Sequence, residues 1–283
     1  TVSGQDVIDE IAKVKTTFVS GHQDVPIEDV YMINVTRKWL MSIFFISDLH
    51  LEEKKPHLTE AFKNFINSKL SPKDELFILG DFFEQWIGDD YETSFINNIK
   101  SELLNFTANG PDTFLMHGNR DFLISEKFLT DTGIKLLPDP FEITMHNKKV
   151  LLSHGDFLCT DDVDYINFRN QVRDKAWQDN FLSKSIEERS EIASKLRSDS
   201  NDATQDKSIE ITDVNESSVK KIIGDYSPDI FIHGHTHRPN IHEYASSKRI
   251  VLGDWGDFGW YLRLDDESYN CLLYTSDAAD EAI

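Results

Sequence analysis

Five apolar runs in this chain each end in a residue able to bind a metal. FFIS precedes Asp48-Leu49-His50, LFIL precedes Gly80-Asp81, and TFLM precedes Gly118-Asn119-Arg120-Asp121. VLLS precedes His154-Gly155-Asp156, and IFIH runs into Gly234-His235-Thr236-His237. Short apolar runs bounded by Gly and polar residues read as buried strands. Several strands of one sheet bring the loops at their carboxyl ends to one edge, where α/β proteins place their sites. Carboxylates, imidazoles and one amide suit two divalent, fairly hard metals such as Mn²⁺, with Zn²⁺ or Fe²⁺ as alternatives.

Taken singly, most of these words are weak. A lone DxH, GD or GN after a strand also reads as turn chemistry, because Gly and Asn tolerate the dihedrals required. Three His within five residues are harder to explain by packing, since buried imidazoles need partners. In an extended segment His233, His235 and His237 point the same way, which helps ligands converge. His233 reads as lining or orienting the site rather than ligating. Arg120 reads as a bidentate clamp for phosphate oxygens. Asp121 and Asp156 read as orienting groups behind the ligands. A carboxylate can bridge two cations, and neutral Asn119 can coordinate without adding charge beside a phosphate.

Composition narrows the partners. Lys plus Arg number 29 and Asp plus Glu 50, a net charge of −21. That argues against general nucleic-acid binding, which needs a basic surface. It leaves open a small phosphorylated substrate, because bound metals invert the local field. Cys159 and Cys271 are the two cysteines, so no disulfide framework is implied and a reducing compartment fits. No signal peptide is visible, and no apolar run nears the ~20 residues a membrane span needs. Peripheral membrane contact stays open. The length of 283 residues leaves room for one large domain or two small ones, and 39% hydrophobic residues can support a core.

Three pieces are expected along the chain. Residues 3–36, SGQDVIDEIAKV…GHQDVPIEDVYMINVT, resemble the C-terminal tail of a bacterial cyclophilin-type prolyl isomerase. That family's catalytic Arg and aromatic residues are not among them. The resemblance implies that 1–40 is an inactive remnant joined by upstream read-through. Residues 271–281, CLLYTSDAADE, look like a translated transposon-type sequencing adapter. The expectation there is that 271–283 and Cys271 are adapter-derived. The middle, 41–270, is the unit to explain. It reads as strands over 43–47, 75–79 and TFLM, with helices over 57–69 and 92–106 between them. FEITM–HNKK–VLLS reads as a hairpin. Residues 162–223 are polar and helical with no strand signal, and four strands follow from 229. The polar stretch is expected to sit over the strand-end site as an insertion.

In this order DLH, GDFFE, GNRD, HGD and HGHTH resemble the five-motif signature of the calcineurin-like metallophosphoesterases. The resemblance implies a four-layer α/β/β/α sandwich with a helical lid. It implies that Asp48, His50, Asp81 and His237 hold one metal. Asp81, Asn119, His154 and His235 would hold the other, with Asp81 bridging. Two metals about 3.5–4 Å apart polarise a phosphoryl oxygen and activate water. Asp81, Asn119, Arg120, His154 and His235 would carry the catalysis.

Longer words narrow the resemblance. LGDFFEQWIGDD (79–90), HGNRDFLI (117–124), LLSHGDFLCTDDVDY (151–165) and HGHTHRPNIHE (233–243) are similar to the UDP-2,3-diacylglucosamine pyrophosphatase family of lipid A biosynthesis. That implies cleavage of UDP-2,3-diacylglucosamine to UMP and diacylglucosamine 1-phosphate by water attacking the α-phosphorus. It implies two Mn²⁺ and work at the cytoplasmic face of the inner membrane of a Gram-negative bacterium. It also implies substrate contacts at Asn119, Arg120, Asp162, Ser200, Thr204, Lys207 and His235. Thr204 stands where the family pattern has Asn. On the residues alone, Asp162, Ser200 and Lys207 read equally as a solvated helix surface. Another binuclear phosphodiesterase, acting on cyclic nucleotides or other nucleoside diphosphate conjugates, remains an alternative. So does a fusion product that binds metal without turnover.

A diacyl substrate needs an apolar cleft, and such pockets form between domains. Phe168, Trp177, Phe181 and Leu182 are candidates from the helical stretch, and Phe82, Phe83 and Trp86 from the core. Ordinary core packing is the alternative for each. Arg169, Arg173 and Lys175 could face phosphates or an anionic membrane, or form a solvated helix face. Cys159 reads as a small buried residue rather than a nucleophile.

Overall fold

A computed structural model describes residues 42–145, 147–205, 209–256, 259–265, 269–274 and 281–282. Of these, 199–205, 209–210, 269–274 and 281–282 are described by their backbone alone. The cyclophilin-like remnant expected over 1–40 lies outside the described residues. So does most of the adapter-like stretch, although 271–274 and 281–282 fall in strands.

Two sheets form the body. In the first, β1 (Ile43–Ile46), β2 (Glu75–Leu79), β3 (Asp112–Met116) and β4 (Lys135–Leu137) run parallel. β10 (Gly259–Leu264), β11 (Tyr269–Tyr274) and β12 (Glu281–Ala282) extend it antiparallel from the other side of β1. In the second sheet β6 (Lys148–Ser153), β7 (Ile230–His233) and β9 (Lys248–Val251) run parallel. β5 (Phe141–Met145) and β8 (Asn240–Glu243) close its edges antiparallel. β5 and β6 are the expected hairpin.

Strand alternation builds the layers, because successive side chains face opposite sides. Phe44 and Ile46 of β1, with Leu76 and Ile78 of β2, pack under two helices. These are α1 (Pro56–Lys69), through Leu58, Phe62 and Phe65, and α2 (Ser94–Asn109), through Ile96, Ile99 and Leu103. The intervening residues Ile43, Phe45, Phe77 and Leu79 face the other way. They meet Val150, Leu152, Ile230 and Ile232 of the second sheet. On that sheet's outer face Leu151 and Phe231 pack on Val219 and Ile222 of α8 (Glu216–Tyr226). The order is helix, sheet, sheet, helix, as expected.

Several boundaries move. The helix expected over 92–106 is α2, 94–109, started by the Thr93 side chain accepting the Ile96 N–H at 3.1 Å. Short α3 (Glu126–Thr132) and three-residue β4 carry too few residues for periodicity to reveal. The helical stretch expected over 162–223 holds α4 (Val163–Arg173), α5 (Lys175–Leu182), α6 (Ile186–Gln205), α7 (Ile209–Thr212) and α8. Its last helix is the sandwich's fourth layer, so only α4–α7 are additional to that frame. No helix among the described residues is long and apolar enough to cross a membrane.

Candidate metal centre

The loops after β1, β2, β3, β6 and β7 meet at one edge, laced by main-chain bonds. Asp48 N–H donates to Gly80 O at 3.1 Å, His50 N–H to Asp81 O at 3.0 Å, and Gly234 N–H to His154 O at 3.0 Å. Asp48 is fully buried. Its Oδ2 accepts from Ser47 Oγ and from the His235 N–H, which leaves Oδ1 3.3 Å from His237 Nε2 and 4.0 Å from His50 Nε2. His50 Nε2 and His237 Nε2 are 3.2 Å apart. Beside them Asp81 Oδ1 lies 3.8 Å from His154 Nε2. Asn119 Oδ1 is 3.0 Å from that same nitrogen and 2.9 Å from His235 Nδ1. All seven residues proposed from the motifs therefore converge. Two groups have metal-binding geometry: Asp48, His50 and His237, and Asp48, Asp81 and His154.

The donor set fits divalent cations. His154 Nδ1 donates to Leu79 O at 2.9 Å, His50 Nδ1 lies 3.1 Å from Glu84 Oε2, and His237 Nδ1 lies 3.5 Å from Asp254 Oδ2. The carbonyl behind His154 fixes its proton on Nδ1 and leaves Nε2 as a lone pair toward the centre, while carboxylates stand beside Nδ1 of His50 and His237, at His50 without hydrogen-bond geometry. The facing lone pairs of His50 and His237 repel unless a proton or cation lies between them. Burial would lower the His154 pKa, but the carboxylates of Asp81, Asp48 and Asp156 outweigh it and raise it to about 9. Surplus negative charge therefore surrounds that imidazole. His235 is pushed down to about 4 by burial and by the His154 charge.

The backbone is strained where the donors sit. Asp48, His50, Asp81, His235 and His237 have φ of 55°, 49°, 50°, 67° and 54°. Non-glycine residues seldom adopt these left-handed angles, and they persist where surroundings over-determine them. They also correct an expectation. The HGHTH segment is not extended beyond His233, so the three imidazoles do not line up. His233 closes β7 and is buried, with Nδ1 2.9 Å from Gly234 O and Nε2 accepting from Arg249 Nη1 at 3.1 Å. It lies off the donor set. Two glycines allow the loops to close. A Cβ on Gly118 would sit 2.1 Å from Asp81 Oδ1, and one on Gly234 would sit 1.9 Å from Ser47 Oγ.

Residues 41–239 match the family model of the calcineurin-like phosphoesterases. The chain belongs to that family. Two relatives, both called UDP-2,3-diacylglucosamine hydrolase, are 44% identical to it. The one from Ectopseudomonas mendocina (strain ymp) aligns over 232 residues, 81% of this chain and 96% of its own length. The one from Histophilus somni (strain 2336) aligns over 214, covering 75% and 92%. Among solved structures, Vacuolar Protein Sorting 29 from Cryptosporidium parvum covers 86% of this chain and 96% of its own. It does so at 12% identity and a TM-score of 0.46.

Around the donors this phosphoesterase places a supporting ring. Asp121 is buried, and its two oxygens accept the N–H groups of Gly118 (2.8 Å) and Phe82 (2.7 Å), tying two motif loops together. Burial and the Asp81 charge raise its carboxyl to about 6. Asp156 accepts from Tyr165 Oη at 2.9 Å and Arg169 Nε at 2.7 Å. Burial would raise the Asp156 pKa, but His154 and Arg169 hold it well below the carboxylate range. Arg120 Nε lies 3.6 Å from Asp81 Oδ2, and the main-chain N–H of Arg120 donates to Asp81 Oδ1 at 2.9 Å. Asp162 is no solvated helix residue: it caps α4, accepting the Tyr165 N–H at 3.0 Å. Ser200 and Thr204 fall on α6 where only the backbone is described, and Lys207 lies outside the described residues.

A cleft opens beside the donors between α4–α6 and the loops after β2 and β3. Asn119 and Arg120 line its polar end, and Trp86, Phe168, Trp177 and Phe181 its apolar wall. Other cleft candidates fall elsewhere. Phe82 and Phe83 are buried in the core and Leu182 is exposed. Arg169 and Arg173 turn inward rather than forming a solvated face, and Arg173 Nη2 donates to Gly118 O at 2.7 Å. Lys175 is exposed and pairs with Asp179. Cys159 is buried, and burial lifts its thiol to about 12, so it is a packed residue rather than a nucleophile. Sequence reading assigned no role to Glu84, Tyr165 or Asp254. Glu84 closes the GDFFE word and was the most findable. Tyr165, whose ring stacks 5.7 Å from that of His235, arrives from α4.

Proposed function

We propose that this chain hydrolyses the pyrophosphate bond of UDP-2,3-diacylglucosamine, releasing UMP and 2,3-diacylglucosamine 1-phosphate (lipid X). The observation that carries this is the convergence of seven residues with donor atoms at five strand ends, in a chain 44% identical, over 96% of its relative's length, to a hydrolase named for that substrate. The donor set fits two divalent metals, for which we propose Mn²⁺. Asp48, His50, Asp81 and His237 would hold one, and Asp81, Asn119, His154 and His235 the other. Bound there, the pair supplies Lewis acidity toward the phosphoryl oxygens and lowers the pKa of attacking water.

The chain's own groups do the rest. Water attacks the α-phosphorus, and the bond to the bridging oxygen breaks, leaving that oxygen with the sugar phosphate. Arg120, at the cleft's polar end, offers a guanidinium to the phosphate oxygens. Asn119 borders the same space, and His235 stands behind it with Nδ1 2.9 Å from Asn119 Oδ1. Asp162, Ser200, Thr204 and Lys207 are proposed contacts further along the substrate. The aromatic wall suits acyl chains, which favours a peripheral position on the cytoplasmic face of the inner membrane. Cosedimentation with anionic vesicles tests that position.

We assign the activity to 41–270, outside the cyclophilin-like and adapter-like ends. The deciding assay is UMP release from UDP-2,3-diacylglucosamine with Mn²⁺, by the full chain and by 41–270. Both should release UMP, and Asp81→Ala should abolish it. Turnover of bis(p-nitrophenyl) phosphate without UMP release would move the substrate to another phosphodiester.

A further inference from the structure

Helix α6 lays one face on the loop that follows β2. Arg189, Ile192, Ala193, Leu196 and Arg197 recur at the three- and four-residue spacing of a single helix face. Ile192 and Ala193 pack against the core beneath. At one end Arg189 reaches Asp90 and Ile87 O. At the other, Arg197 Nη2 contacts Glu84 Oε1. Glu84 is a junction. The oxygen that meets Arg197 also lies 3.4 Å from Arg120 Nη1, and its second oxygen lies 3.1 Å from His50 Nδ1. Its main chain is fixed independently, with N–H donating to Leu51 O at 3.1 Å. Only the side chain is therefore free to answer to α6. Without Arg197, one carboxylate oxygen loses the partner that sets its direction; of the remaining contacts, the one to Arg120 is long at 3.4 Å and the one to His50 lacks hydrogen-bond geometry.

We propose that Arg197 is a positioning residue that acts through Glu84. It holds the carboxylate that fixes the His50 ring toward the metal and Arg120 toward the phosphoryl group. Seating α6 and readying the site are then one event. The phosphoryl half rests on the function proposed above; the His50 half stands without it.

Arg197 also lines the cleft, so it could act by touching substrate instead. Two readouts that need no lipid separate the roles. One is Mn²⁺ affinity of the full chain, from the paramagnetic resonance of free ion. The other is kcat for bis(p-nitrophenyl) phosphate, which carries no acyl chain or nucleotide. Losing a group behind a ligating His weakens metal binding by roughly 10–100-fold. Glu84→Gln should fall near the lower end of that range, and Arg197→Met, one step further removed, should weaken it by about threefold. Both should lower kcat on the small diester. Arg197→Lys, which keeps a cation on the same face, should recover most of the loss. Adding Arg197→Met to Glu84→Gln should change nothing further. Arg197→Met with wild-type Mn²⁺ affinity and wild-type kcat, but a raised KM for UDP-2,3-diacylglucosamine, overturns the proposal in favour of a substrate contact. Additive losses in the double variant overturn it too. If Glu84→Gln does not fold, the Arg197→Met and Arg197→Lys pair still decides on Mn²⁺ affinity. A wild-type chain that binds Mn²⁺ normally but releases no UMP counts against the function and leaves this link standing.

Discussion

The strand-end site and the helices above it are held by different physics. Beneath the site lie two apolar layers, and its loops exchange main-chain hydrogen bonds. Five of the seven non-glycine residues with left-handed φ among the described residues sit there. Helices α4 and α5 bury one side chain each, Val172 and Phe181. Otherwise the helical segment leans on arginines: Arg169 to Asp156, Arg173 to Gly118 O, Arg189 to Asp90 and Arg197 to Glu84. The contrast assigns tasks. Metal chemistry needs donors fixed to a fraction of an ångström, which a packed sheet edge provides. Enclosing the long amphipathic substrate proposed above would need a wall that opens, and elements with few buried apolar contacts open most readily.

Substitutions of donor side chains should therefore remove chemistry without loosening the fold, and substitutions of the segment's anchors should loosen the segment far more than they cost chemistry. The largest effect is expected from Asp81→Asn. It keeps size and hydrogen-bonding capacity but deletes the charge between the donors. UMP release should drop by about a thousandfold or more, since metal-supplied charge stabilisation is worth several kcal/mol. Circular dichroism and the urea midpoint should barely change. A large fall in stability instead would mean that the site helps hold the sandwich together. Next comes Gly118→Ala. Its Cβ would lie 2.1 Å from Asp81 Oδ1 and 2.2 Å from Asp81 N, so backbone must shift. Overpacking of this kind costs about 1–3 kcal/mol. Chemical unfolding should show that loss together with weakened Mn²⁺ binding, because the displaced group is a donor.

Arg189→Met probes the other region. The Arg189 side chain is buried among the loop atoms and donates to Ile87 O and Asp90 Oδ1, both at 2.7 Å. Gly88 makes room for it: at φ 129°, a Cβ there would meet Arg189 Nη1 at 2.4 Å. Removal should cost about 2 kcal/mol in charge-assisted hydrogen bonds, with the freed Asp90 rehydrating. Limited proteolysis should then cut within 163–212 far sooner than in the wild type. The kcat on bis(p-nitrophenyl) phosphate should fall by no more than the roughly threefold expected of Arg197→Met, because this anchor reaches the donors only through the seating of α6. Equal protection of segment and sandwich would erase the distinction between them.

The two regions were also unequally legible in the sequence. Strand-end motifs announce themselves because a buried parallel strand is a continuous apolar run, and its ligand must follow at once. All seven residues that converge stand in these motifs, and the resemblance divided them between two metals; IFFI and ELFIL, continuous apolar runs, read as buried strands without revealing that their two faces serve different cores. Legibility failed where meaning depends on distant partners. HGHTH looks like an extended run of aligned imidazoles, yet left-handed turns at His235 and His237 send His233 to Arg249. Phe82 and Phe83 look like cleft residues but belong to the core. GDFFEQWIGDD carries Glu84, Asp89 and Asp90, whose partners Arg197, Ser125 and Arg189 lie 35 or more positions away. No local spacing encodes such pairs. The same stretch supplies a ligand, a junction and an anchor, and only the fold tells them apart.

That anchor yields the smallest effect and the clearest sign. Asp90 is held below the usual carboxylate range, chiefly by the hydrogen bond from Arg189. Its side chain is 62% exposed while that of Arg189 is 2% exposed. Solvent therefore screens the carboxylate, and the pair should contribute under about 1 kcal/mol. A carboxyl with a depressed folded-state pKa stabilises fully above its unfolded value of 3.8, and that stability is lost as pH falls through the folded value. Asp90→Asn should thus lower the urea midpoint slightly at pH 7 and at pH 5. The gap to wild type should narrow as pH drops below about 4, where the wild-type carboxyl also becomes neutral. A gap that ignores pH would mean that shape rather than charge seats α6 on its loop. The segment would then be packed like the sandwich beneath it.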